Sequence, residues 1–191
     1  MNTIYTKRIV LTGLLVALAF ISLYIIRIPL IPSATFLRFD IKDTFIAVSG
    51  IFFGPSYAFG GAVCISLLQM LCVSEYGFTG FLMNVLSVSA FTVPLAFSCR
   101  KCNTNKRLII GLLISCVNMT VVMLAWNYFI TPIYMGIPRA VVKAMLFPVF
   151  LPFNILKGVI NAVLIFFLYN SIKMFVVTPA DVIEKAKSKG E

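Results

Sequence analysis

The run Pro148–Tyr169 is apolar apart from Asn154, Lys157, Gly158 and Asn161, and it is long enough to cross a bilayer as a helix of about 20 residues. A lysine held at that depth costs roughly 2.5–3.5 kcal/mol on insertion scales. Asn154 and Lys157 are three positions apart, so in a helix their head groups share one face. A face carrying both turns away from lipid. The chain is thereby constrained to a helix bundle in which this segment borders a polar interior, and the simplest such interior is a ligand pocket between helices.

The rest of the chain extends that constraint. Hydrophobic residues fill 61% of the 191 positions, against about 45–50% in soluble domains. The excess makes this an all-α integral membrane protein, a single membrane domain over 1–191 with six transmembrane helices. Apolar runs and their punctuation predict helices over about 7–26, 40–53, 56–73, 78–97, 108–130 and 148–175, with a tail at 176–191. Gly54-Pro55 breaks the second run from the third, and Ser74-Glu75-Tyr76-Gly77 links the third to the fourth. Segments 27–40 and 131–147, punctuated by prolines, read as irregular connections.

A net charge of +10 suggests nucleic acid at first sight. The basic residues instead cluster at the ends of the apolar runs, which is how membrane orientation is encoded. An even number of spans leaves both termini on one side. That side collects ten positive residues, Lys7, Arg8, Arg100, Lys101, Lys106, Arg107, Lys173, Lys185, Lys187 and Lys189, while Arg27, Arg38, Lys42, Arg139 and Lys143 lie opposite. The asymmetry predicts cytoplasmic termini and a cytoplasmic tail, and no nucleic-acid partner. It also places both irregular connections outside, where non-helical backbone must be buried in protein or line a wet cavity.

Several chemistries are disfavoured. Histidine is absent, which removes the usual general base and the commonest metal ligand. Cys99 and Cys102 have redox or metal spacing, but no second pair accompanies them. No glycine-rich phosphate loop or paired acidic cluster occurs, so the chain hydrolyses no ATP itself. The expectation is a non-enzyme with no metal, no catalytic residue and no cofactor.

The candidate pocket residues follow from position. Asn127 falls near the outer end of the fifth helix, and Asn154 and Lys157 open the sixth on the same side. An amide offers a donor and an acceptor side by side, the complement of an imide or pyrimidine-like ring edge. Phe36, Phe39, Trp126, Tyr128 and Phe153 are placed to sandwich a flat ring, and Leu37 to line the pocket floor. Asp40 and Asp43 are expected to cap the second helix. Gln69, Asn84, Asn118 and Asn161 read as hydrogen-bonding glue between helices, with Asn84 also in the set expected near the ligand. Gly13 and Ala17 form a small-xxx-small spacing suited to close helix approach, within the bundle or against a partner.

Taken together, Phe36-Leu-Arg-Phe-Asp40-Ile-Lys-Asp43, Phe52-Phe-Gly-Pro55, Gly80-Phe-Leu-Met-Asn-Val-Leu86, Trp126-Asn-Tyr-Phe-Ile-Thr-Pro-Ile-Tyr134 and Leu151-Pro-Phe-Asn-Ile-Leu-Lys-Gly158 resemble the substrate-binding S component of energy-coupling factor (ECF) vitamin transporters, of the riboflavin type. The resemblance covers residues 7–175. It implies a six-helix S component in the cell membrane of a bacterium or archaeon that captures riboflavin from outside with high affinity. It also implies partnership with a transmembrane coupling subunit and two ABC-type ATPases that supply the energy for uptake. Carried onto matching positions, it makes Asn127, Asn154 and Lys157 flavin contacts, and Gly13 and Ala17 contacts to the coupling subunit. The residues alone leave open a different vitamin or a flavin analogue.

Overall fold

The computed structural model describes residues 3–32, 34, 36–73, 77–100 and 104–173. The link residue Glu75, the loop residues Lys101 and Cys102, and the tail 176–191 lie outside them.

The chain begins with α1 (Thr3–Ile25) and ends with α7 (Leu151–Lys173); between them come α2 (Lys42–Phe53), α3 (Pro55–Cys72), α4 (Gly77–Ser98), α5 (Asn105–Met135) and the short α6 (Arg139–Met145). A π-helical turn, Leu146–Phe150, joins α6 to α7. A minimal antiparallel pair crosses the loop after α1: β1 (Ile28–Pro29) and β2 (Arg38–Phe39), with Ile28 opposite Phe39 and Pro29 opposite Arg38.

Among the described residues, five helical stretches are long and apolar enough to cross a membrane: Ile4–Ile25, Pro55–Cys72, Gly77–Ser98, Asn105–Met135 and the continuous Arg139–Ile172. The second helix differs. At 12 residues α2 is about 18 Å long, short of the ~30 Å hydrocarbon core. It starts inside the protein, beneath the loop that follows α1, and Lys42–Thr44 and Ile46–Gly50 along it are buried. Such all-round burial marks the central element of the bundle.

Two apolar clusters pack on either side of α2. Val16, Ala19 and Leu23 of α1 meet Ile46, Ala62, Ile65 and Val88 on one side. Ala47 joins Phe91, Leu95, Leu112, Met119 and Ile165 from α4, α5 and α7 on the other. Small residues permit this closeness. A Cβ added at Gly50 falls 2.7 Å from the Ala58 Cβ and 3.1 Å from the Ala96 Cβ. Polar side chains bridge the same elements: Thr44 Oγ1 donates to Asn161 Oδ1 at 3.1 Å, and Asn118 Nδ2 to the Ala90 carbonyl at 2.7 Å. The outward faces are apolar, as at Leu14, Val117 and Phe167, which suits lipid.

Two expectations about connections are corrected. The segment 131–147 is largely helical, because α5 runs through Thr131-Pro132 to Met135 and α6 begins at Arg139. Pro132 frees only one carbonyl, and membrane helices tolerate that where neighbouring groups re-satisfy it. The stop comes at Gly136, whose φ of 63° is left-handed, a conformation open to glycine at little cost. Asp40 and Asp43 do not cap α2 either: Ile41 occupies the N-cap position, and no side chain caps it.

Candidate functional site

Asn127, Asn154 and Lys157 line one cavity at the end of the bundle opposite the amino terminus. Its wall is drawn from the loop after α1 and from α3, α4, α5 and α7. The loop after α1 gives Arg27, Phe36, Leu37, Arg38 and Asp40; α3 gives Gln69; α4 gives Met83, Asn84 and Ser87. Met123, Asn127 and Tyr134 of α5 and Phe153, Asn154 and Lys157 of α7 complete it. Arg27 Nη1, 3.4 Å from the Val73 carbonyl, ties the loop to the end of α3. The cavity volume is about 80 Å3. Since small-molecule sites typically measure ~300–1,000 Å3, a ring-sized ligand enters only when the lining yields.

Lys157 is buried at 6% exposure and does not reach towards the membrane surface. Its Nζ lies 2.9 Å from Asp43 Oδ2, and Asp43 Oδ1 lies 3.7 Å from Lys42 Nζ. Lys42 Nζ in turn donates to Asp40 Oδ2 at 2.6 Å. Two carboxylates and two ammonium groups thus alternate in one buried chain. The arrangement is charge-neutral, which is how ions persist in a low-dielectric interior. Its ends, Asp40 and Lys157, face the cavity; its middle members do not line it. Of the acidic residues read as helix caps, Asp43 is therefore the counterion of the pocket lysine, and Asp40 pairs with Lys42. An acidic residue three positions from another, next to an apolar helix, carries both signals, and only the packing of α7 against α2 separates them.

The amides are pre-oriented. Asn127 Oδ1 accepts the Thr131 hydroxyl at 3.0 Å, leaving Nδ2 to donate. Asn154 Nδ2 donates to the Phe150 carbonyl at 2.7 Å, leaving Oδ1 to accept. The second contact reaches into the π-helical turn, where Pro148, and Pro152 just beyond it in α7, remove backbone donors. Such turns often mark functional sites. Together the two amides present one donor and one acceptor, the pattern that an imide edge requires.

The aromatic expectations divide. Phe36 and Phe153 line the cavity with Leu37, and Asn84 lines it too, its Nδ2 held by the Gly80 carbonyl at 2.9 Å. Trp126 does not: it packs against the apolar cluster of α4, α5 and α7. Consecutive helical residues point about a quarter-turn apart or more, so a helix that turns Asn127 inward sends Trp126 to the neighbouring helix. Phe39 is buried but outside the lining, because alternate strand residues face opposite ways and Arg38 takes the cavity side. Tyr128 sits under the Arg139 guanidinium, 5.7 Å from the ring centroid. Arg27, Met83, Ser87, Met123 and Tyr134 are lining residues that sequence reading passed over. The spacing of Met123, Asn127 and Tyr134 along one face was the available signal for two of them.

On the outer surface, Gly13 and Ala17 of α1 are exposed. A Cβ at Gly13 meets nothing within 4 Å, so that glycine is not required for close packing inside the bundle. Gly13 borders a groove of about 260 Å3 between α1 and α3, with Gly60 and Gly61 on its far side.

Comparison with known proteins places this architecture. The family described as "ECF transporter, substrate-specific component" matches residues 7–169. The chain is 28% identical over 181 residues to the riboflavin transporter RibU of Streptococcus thermophilus, covering 90% of this chain and 85% of that protein. It is 24% identical over 179 residues to the riboflavin transporter FmnP of Bacillus subtilis, covering 89% and 94%. It is 28% identical over 182 residues to RibU of Staphylococcus aureus, covering 92% and 95%. Among solved structures, the S component of a bacterial ECF transporter superposes with a TM-score of 0.75 at 28% identity, over 90% of this chain and 98% of that one. A multi-pass bundle, a sheltered polar cavity and a family match across most of the chain converge: this protein belongs to the substrate-specific components of ECF transporters.

Proposed function

We propose that the chain is the high-affinity riboflavin-binding subunit of an ECF-type transporter in a bacterial or archaeal cell membrane. The observation that carries this reading is the convergence of Asn127, Asn154 and Lys157 on one sheltered cavity, in a chain whose relatives are named riboflavin transporters. The amide pair matches the imide edge of the flavin ring, with Nδ2 of Asn127 towards a ring carbonyl and Oδ1 of Asn154 towards the ring N–H. The Lys157 ammonium, held by Asp43, adds a donor for a second carbonyl. Phe36, Phe153 and Leu37 supply flat apolar contact. Asn84 borders the ring, while Trp126 and Phe39 act one layer back by fixing α5 and the loop.

In this reading both termini and the tail 176–191 are cytoplasmic, and the cavity opens outward, in keeping with the bias of basic residues. The whole of 1–191 is one membrane domain with α2 counted as the sixth, short helix. A transmembrane coupling subunit docks on the exposed small residues Gly13 and Ala17, and two ATPase subunits supply energy. The chain itself performs no bond-making step. Extraction and mass spectrometry of the small molecule that co-purifies with the protein tests the assignment: riboflavin is expected, and stoichiometric recovery of a different vitamin overturns it.

A further inference from the structure

Two acceptor atoms beside the cavity lack donors. Asp40 gives Oδ2 to Lys42, but its Oδ1 is buried and has no hydrogen-bond partner. Gln69 Oε1, from α3, is in the same condition. The two residues are 4% and 7% exposed, and both line the cavity. An unmet buried acceptor is costly, and native structures leave few of them. Other unpartnered groups, such as the hydroxyls of Ser66 and Ser115, are not part of this lining. The acceptors at Asp40 and Gln69 therefore stand where an incoming molecule can complete them.

The cavity wall is chemically divided. α5 and α7 offer a matched donor and acceptor plus the Lys157 ammonium; besides Arg27 and Arg38, the loop after α1 contributes the unpartnered acceptor Asp40 Oδ1, and α3 contributes Gln69 Oε1. We propose that Asp40 and Gln69 are specificity-determining residues that accept hydrogen bonds from hydroxyl groups on the ligand's flexible chain. The inference rests on the riboflavin reading and names which part of that ligand these residues hold. The oxidised flavin ring has a single N–H, and it lies on the imide edge already matched by Asn154. The remaining hydrogens for donation are the hydroxyls of the ribityl chain. A site built with fixed acceptors discriminates strongly against an analogue that lacks the hydroxyls, because the acceptors then stay buried and unpaired. Asp40 is also held in place: its Lys42 partner is fixed by Asp43, which is itself anchored to Lys157.

The test titrates the purified full-length protein and its Asp40→Asn and Gln69→Met variants with two flavins, by quenching of flavin fluorescence. One is riboflavin; the other is lumiflavin, the same ring with a methyl group in place of the hydroxylated chain. The expected result is riboflavin affinity weakened by about ten-fold in Asp40→Asn and by about five-fold in Gln69→Met, with lumiflavin affinity changed by less than about two-fold. Gln69→Met keeps the shape of the side chain and touches no ion pair, so it decides the matter alone if Asp40→Asn does not fold. Equal losses for both flavins, unchanged riboflavin affinity, or wild-type protein that binds lumiflavin as tightly as riboflavin would overturn the inference and leave the flavin reading standing. Wild-type protein that binds neither flavin overturns both.

Discussion

Lys157 and Asp43 meet in a region where neither tolerates being alone. Removing one partner of a buried ion pair costs about 3–5 kcal/mol, whereas removing both is often neutral. Asp43→Asn and Lys157→Met should each lower the melting temperature measured in detergent, and the double variant should recover most of the loss. Riboflavin binding should not recover in the double variant, since the ammonium is gone; recovery of both would mean that Lys157 serves stability alone. Asn127→Ala and Asn154→Ala should each weaken riboflavin by about ten-fold, read by the same fluorescence titration. The three head groups were legible in the sequence because polar side chains in apolar helices have few places to go. Their counterions were not. Asp43 sits 114 positions from Lys157, and its place in a first helical turn suggested a cap as readily as a salt bridge. Trp126 misled for a related reason: proximity to Asn127 along the chain says nothing about which way a helix turns it.

Helices of this protein are set by close approach more than by their own length. α2 is buried almost all round, and Gly50 touches α3 and α4 through space that admits no larger side chain. Gly50→Val should lower the melting temperature by several degrees, because the contacts are methyl groups on two rigid helices, whereas Gly60→Ala, which meets nothing within 4 Å, should leave it within about a degree. A larger effect at Gly60 than at Gly50 in a thermal melt would contradict the assigned packing. The apolar runs announced these elements, and the Gly54-Pro55 break falls where α2 gives way to α3. The stretch after Ile130 was less legible. Thr131-Pro132 carries the local signature of a helix end, yet α5 continues to Met135 and brings Tyr134 over the cavity. Tertiary contact overrode a local stop signal, as it can wherever a membrane helix has neighbours to satisfy its freed carbonyl.

At the scale of the molecule, the proposed assignment puts binding and coupling on different surfaces. The cavity lies at one end of the bundle, and Gly13 and Ala17 lie on the exposed flank of α1. Ala17→Trp should leave riboflavin affinity within about two-fold of wild type and abolish uptake in cells that carry the whole transporter. Loss of binding with normal uptake machinery assembly would reverse this division of labour. The class of fold was evident in the sequence because bilayer thickness dictates helix length; the enclosure of the cavity was not, since it depends on how far the loop after α1 folds over the bundle. The central claim is that this enclosed site takes up one flavin per chain, and a fluorescence titration of riboflavin into the purified protein, with other vitamins as competitors, tests it most directly. The account predicts saturable, sub-micromolar quenching at one flavin per chain that the unrelated vitamins do not reverse. Absence of quenching, or displacement of bound flavin by a vitamin with no isoalloxazine ring, would contradict it.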